Sequence, residues 1–165
     1  MNYPINELSK DSRIWVFTSS SLIDNEIAKL LMEDTAFFLD NWLAHQQILK
    51  AGTIILHQHF LIIAVDENHT GASGCSIDKL HQFIQLEEKK FNLKLLDRMR
   101  VVYKVGDEIK NIAIPELQQL IKLGEISANT VVFNPLVESL SLLNTSFEVA
   151  LQDTWLNRYL IKQPS

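Results

Sequence analysis

Six consecutive apolar residues, Phe60-Leu61-Ile62-Ile63-Ala64-Val65, constrain this chain more than any other stretch. Side chains of a strand alternate between two faces. A strand that is apolar at every position therefore needs cover on both sides. Ile14-Trp15-Val16-Phe17 makes the same demand. A sheet built from these two segments has to be an inner layer. A chain of 165 residues is long enough to supply both covers from one domain, or from one domain with a substantial extension.

The β-branched and aromatic run from Arg13 to Thr18 predicts a first strand. Ile23, Ile27, Leu30, Leu31, Phe38 and Trp42 then recur at helical spacing, behind Ser21 and Asp24, which have the spacing of a capping box. Thr53 to His57 and Phe60 to Asp66 predict two more strands, joined by a tight turn at Gln58-His59. After a Gly/Ser turn, Ile77, Leu80, Phe83, Ile84 and Phe91 share one helical face, and Arg100 to Val105 predicts a fourth strand. The order is βαββαβ, that of a ferredoxin-like α+β core over residues 1–105, with an antiparallel sheet and both helices on one face.

Residues 106–165 predict a C-terminal helix-strand-helix extension packed on that core, with the seam at Gly106-Asp107-Glu108. Either this extension or another subunit covers the second face of the sheet. Its first helix starts near Pro115 and ends at Gly124, and Thr130 to Phe133 is its strand. Phe147, Leu151, Trp155 and Tyr159 step four apart down an expected last helix, opened by Thr145 and Glu148. Trp15, Trp42 and Trp155 all fall in apolar-periodic segments and read as core, and Asp97-Arg98 reads as a surface ion pair.

The net charge of −5, with no basic stripe, argues against a nucleic-acid surface. The densest arginine site is the pair Arg98 and Arg100. One cysteine excludes an internal disulfide framework and suits a reducing compartment. The start Met1-Asn2-Tyr3-Pro4 lacks the pattern of a signal peptide, and no apolar run approaches the length of a membrane span. The expectation is a cytoplasmic protein with no membrane insertion.

The candidate site is the turn Gly71-Ala72-Ser73-Gly74-Cys75-Ser76, which runs from the apolar strand into a helix. Three readings stand side by side. A helix N-terminus presents free N–H groups and a positive dipole end, so the turn suits a small anion, with the hydroxyls of Ser73 and Ser76 and the close approach allowed at Gly74. The same field stabilises a thiolate at Cys75, to which Lys79 adds charge; His69, in the same loop, His81, Asp66 and Glu67 are the candidate bases. Finally, Ser73 or Ser76 simply caps the helix, while Cys75 packs as a small apolar residue. Arg100, at the start of a strand, is placed to reach a ligand at the sheet end. His57 and His59 alternate on a strand and so could share a metal, but no third ligand has motif spacing, and neither a metal nor a cofactor is expected.

The block Gly71-Ala72-Ser73-Gly74-Cys75-Ser76-Ile77-Asp78-Lys79 follows Ala64-Val65-Asp66-Glu67, and Asp97-Arg98-Met99 and Thr130-Val131-Val132-Phe133-Asn134 come later. Together they resemble a family of small bacterial proteins often labelled "ABC transporter ATPase". The likeness spans most of the chain and implies a grouping rather than a mechanism. The label itself lacks its motifs. A phosphate-binding loop requires G-x-x-x-x-G-K-[ST], whereas Gly71 and Gly74 are too close together and no Gly-Lys pair occurs. No ATPase activity is expected. Separately, Pro115 to Val131 resembles the second half of a GYF-like domain without the glycine-tyrosine-phenylalanine signature. The leading expectation is a non-enzymatic protein that binds a small anionic ligand, or a partner's anionic group, at the turn. The rivals are a thiol enzyme using Cys75 and an interaction module or homodimer.

Overall fold

The doubly apolar segment is the centre strand of a three-stranded antiparallel sheet in the computed structural model, which describes residues 1–161. β1 (Arg13–Thr18) leads to α1 (Asn25–Asp40), a two-residue ribbon of β2 (Leu43–Ala44) and β3 (Gln47–Ile48), and then β4 (Lys50–Leu56) and β5 (Phe60–Asp66). The sheet order is β1-β5-β4. Asp24 caps α1, its carboxylate accepting from the Ile27 N–H, so the cap lies three residues after Ser21. The β4–β5 turn centres on His57 and Gln58, not on Gln58 and His59. Both have positive φ, of 54° and 55°, and His59 N–H donates to Leu56 C=O. Two successive left-handed residues match the twist of a hairpin without the usual Asn-Gly.

The structure meets the demand for cover on both faces from within the chain. On one face, Phe17, Leu61, Ile63 and Val65 pack with Leu31 and Leu39 of α1 and with Leu80 and Ile84 of α2 (Gly74–Phe91). On the other, Ile14, Phe60, Ile62 and Ala64 meet Val102, Phe133, Val137, Leu140 and Phe147. These partners belong to a second antiparallel sheet and to the segments around it. The second sheet comprises β6 (Arg100–Val105), β7 (Glu108–Ala113), β8 (Val131–Phe133) and β9 (Glu148–Ala150), in the order β7-β6-β8-β9. Its far face holds Val101, Tyr103 and Val132 against Ile114 and Leu117 of α3 (Ile114–Lys122) and against Leu151 and Leu156.

The fold is therefore α+β with antiparallel sheets, and the place of the fourth expected strand differs. Arg100–Val105 does not lie beside β1. It pairs with β7 and β8 in the second sheet, and Gly106-Asp107 turns a hairpin there rather than marking a seam. Glu108–Ala113 reads as polar in sequence, yet it pairs residue by residue with β6, because one half-exposed edge strand needs few apolar side chains. Gly124, at φ +78°, ends α3 as expected.

The expected last helix does not form. Phe147 follows α4 (Leu140–Ser146), Val149 pairs with Val132 in β9, and Leu151 and Trp155 open separate 3₁₀ turns. Thr145 bonds back to Ser141 C=O instead of capping anything, and Thr154 caps the last turn through the Leu156 N–H. Three of the four residues spaced by helical period serve instead on two faces of the second sheet: Phe147 in one core cluster, Leu151 and Tyr159 in another.

Candidate functional site

The Gly/Ser turn is held by its own side chains. Ser73 Oγ accepts from the Ser76 N–H at 3.1 Å, and Ser76 Oγ accepts from the Ser73 N–H at 2.7 Å, a reciprocal cap on α2. Glu67 places a carboxylate oxygen on the Ala72 N–H at 2.9 Å, where an incoming anion would otherwise bind. Ser76 is buried, and its C=O accepts from Trp42 Nε1 at 2.8 Å, which pins the helix start to the core. Neither Gly71 nor Gly74 has a left-handed backbone, and a Cβ at Gly74 would meet nothing within 4 Å. Gly74 thus cradles no close approach, whereas a Cβ at Gly71 would meet the Glu67 carboxylate at 3.0 Å.

The other residues expected at the turn are scattered in role. Cys75 and Lys79 are exposed. Neither Cys75 nor His69 has a side-chain hydrogen bond among the described residues, so no base is oriented on the thiol. Asp66 is buried and engaged. Burial pushes its carboxyl up, but hydrogen bonds from Asn68 and Ser9 and the Lys50 ammonium hold it below the usual carboxylate range. A carboxylate so stabilised is a poor general base near neutrality. His57 bridges toward Glu148 at 3.4 Å and packs on Phe133, while His59 is buried with its ring on His57 C=O. No group of three ligating side chains forms among the described residues.

Arg100 is the expected site residue that does line a cavity. This cleft, of about 650 Å³, opens between the outer edge of β1 and the second sheet. Arg13 and Arg98 line it too, with Trp15, His81 and Trp155. Arg100 Nε donates to Asn111 Oδ1 at 2.8 Å, and Asn111 Nδ2 donates to Ser19 C=O at 2.7 Å. That chain ties the guanidinium to both sheets and fixes its plane. Arg13 lies over the Trp15 ring, 4.7 Å from its centre. None of the three arginines is ion-paired among the described residues, although Asp97 and Glu138 also line the cleft. Asp97 instead accepts from the Met99 N–H, so the expected Asp97–Arg98 pair does not form.

Sequence reasoning noted Arg98 and Arg100 but missed Arg13. Eighty-five residues separate it from Arg98, and only the pairing of β1 with β5 and the crossing of the second sheet bring them to one cavity. The tryptophans divide: Trp42 is core as expected, whereas Trp155 is 41% exposed and belongs to the cleft wall. No protein-family model matches this chain, and no curated protein or solved structure matches it either.

Proposed function

We propose that this chain is a non-enzymatic binding protein whose cleft between β1 and the second sheet takes an anionic group, a carboxylate or a phosphate. The observation that carries the reading is the anchored guanidinium of Arg100, bonded through Nε to Asn111 and flanked by Arg13 and Arg98 without ion-pair partners among the described residues. A guanidinium fixed in plane presents a fork of donors that matches a carboxylate or phosphate edge. Pre-orientation by Asn111 removes rotamer entropy that binding would otherwise cost. The Gly/Ser turn contributes a rigid start for α2 rather than the ligand contact, since the N–H groups of Ala72, Ser73 and Ser76 already have internal acceptors. No nucleoside-triphosphatase activity belongs to this reading.

On the same reading, β4, β5 and β1 with α1 and α2 correspond to three quarters of a ferredoxin-like order. The fourth strand position, beside β1, is where the cleft opens.

The test is a titration with phosphate and with citrate, followed by tryptophan fluorescence, because Trp15 and Trp155 line the cleft. Saturable quenching is expected. Arg100→Ala weakens it about tenfold or more, since a charged hydrogen bond contributes about 1.5–3 kcal/mol. Arg100→Lys does not restore it, having lost the fork. Lys79→Ala, at the turn, leaves it unchanged. The opposite pattern, loss with Lys79→Ala and none with Arg100→Ala, would return the site to the turn and defeat the proposal.

A further inference from the structure

The cleft is more than a basic hollow, because one of its walls is an unpaired strand edge. Ser19 N–H donates to His59 C=O on the β5 side, so the odd-numbered residues of this strand turn their backbone groups toward β5. The even-numbered residues turn outward. Ile14 N–H confirms this by donating to Glu138 C=O at 3.0 Å, and Leu140 N–H donates to Ser12 C=O at 3.0 Å. An extended stretch around Ser139 therefore already pairs antiparallel with the start of β1. The pairing then stops. Leu136, next in register opposite Val16, donates its N–H to Asn134 Oδ1 instead. The outward N–H groups of Val16 and Thr18 have no acceptor among the described residues.

Exposed edges of this kind are normally blunted by charge, proline or cover. The outer edge of β4 follows that rule: Tyr3 N–H donates to Ala51 C=O, so the N-terminal segment lies along it. β1 carries neither lysine nor proline, and its open stretch, Val16–Thr18, about 10 Å long at 3.3 Å per residue and closed beyond by the Ser20 N–H on Lys94 C=O, forms one wall of the arginine-lined cleft.

Resting on the anion-binding reading above, we infer that the occupant is an extended acidic segment of a partner protein, added antiparallel to β1 at Val16–Thr18 as a fourth strand of the first sheet. The main chain of the segment satisfies the outward groups of β1 and continues the pairing begun at Arg13 and Ser139. Its side chains alternate between two walls. Those facing the second sheet meet Arg100 and are acidic. Those facing the helices meet Trp15, Leu95 and Leu96 and are apolar. Three guanidiniums without ion pairs among the described residues, on a chain of net charge −5, supply the charge complementarity that selects an acidic strand over a basic one.

The probe is a blocked hexapeptide alternating glutamate and valine, compared with one alternating lysine and valine. Amide exchange at Val16 and Thr18 is read by NMR. The glutamate peptide is expected to slow exchange at both amides at least tenfold at saturation, and the lysine peptide not at all. N-methylation of every second peptide amide abolishes binding in one phase and spares it in the other, because only one set of N–H groups faces β1. Three results overturn the inference. If the glutamate peptide displaces citrate but leaves Val16 and Thr18 exchanging freely, and tolerates N-methylation in both phases, strand addition is wrong while anion binding stands. If neither citrate nor peptide perturbs the cleft, both readings fall. If the two amides are already protected without peptide, in proportion to protein concentration, a second copy of the chain occupies the slot.

Discussion

The Ser73 hydroxyl caps the helix on which the Gly/Ser turn opens, and its loss separates a structural turn from a binding loop. Ser73→Ala leaves the Ser76 N–H without its acceptor and is expected to cost about 1 kcal/mol, within the 0.5–2 range of such caps. For a chain of this size that lowers Tm by roughly 2–4 °C. Gly74→Ala should leave Tm unchanged or raise it slightly, because a Cβ there meets nothing and the backbone is not left-handed. Thermal melts of the two variants settle the matter: if Gly74→Ala loses as much as Ser73→Ala, close backbone approach matters after all. This cap was legible in the sequence because its donors and acceptors lie within three residues of each other. The Arg13–Arg98–Arg100 grouping was not, because nothing local relates those side chains.

Between elements, α1 and α2 share a titratable cluster that the sequence shows only as an ordinary charged helix face. Glu87, 6% exposed, has one carboxylate oxygen buried without a partner. Burial, then hydrogen bonding to and charge on Asp34, push its carboxyl up from 4.5 to about 7. On Asp34, burial pushes the same way, but hydrogen bonds from Lys90 and Glu87 outweigh it and hold that carboxyl below its usual value. Lys90 sits 2.5 Å from Asp34. Below about pH 7, then, a protonated Glu87 lies near an Asp34 carboxylate that the Lys90 ammonium holds. A carboxyl raised in the folded state stabilises it fully below the unfolded value and loses that contribution as pH rises through the folded one. Stability should therefore fall between about pH 4.5 and pH 7, the bounds set by Glu87. Glu87→Gln, which keeps a donor for Asp34 and cannot ionise, should flatten that fall, so that its Tm at pH 8 exceeds the wild-type Tm by a few degrees. Parallel Tm–pH profiles for the two proteins would exclude Glu87 as the source. Periodicity predicted both helices, and Leu31, Leu39, Leu80 and Ile84 pack in one cluster against the first sheet. It misassigned the Phe147–Tyr159 segment because a spacing of four also arises when successive residues serve different layers.

At the scale of the whole molecule, Phe133 joins the two sheets. Its ring lies 5.2 Å from that of Phe60 in the centre strand, 5.3 Å from Phe147 and 4.7 Å from His57, with Lys104 over it at 5.7 Å. Phe60 and Ile62 need cover on this face, and Phe133 and Val102 of the second sheet help to provide it. The sequence predicted that need from the doubly apolar run. It predicted the wrong place for the fourth strand because polar β7 and the three-residue strands β8 and β9 carry too little pattern to announce a second sheet. The core between the sheets is closed by neither sheet alone, so the two should unfold together. Phe133→Ala removes the shared contact, and large aromatic-to-alanine changes in a core cost about 3–5 kcal/mol. Against a total of about 5–15 kcal/mol, that is a large share of the stability. Calorimetry should show one transition for both proteins, displaced downward by roughly 6–20 °C in the variant. A variant melt that splits in two, with the upper step at the wild-type temperature, would mean that the sheets hold independent cores. In that case the cleft between them would be a hinge rather than a fixed wall, and Arg100 would lose the rigid frame that Asn111 and Ser19 give it.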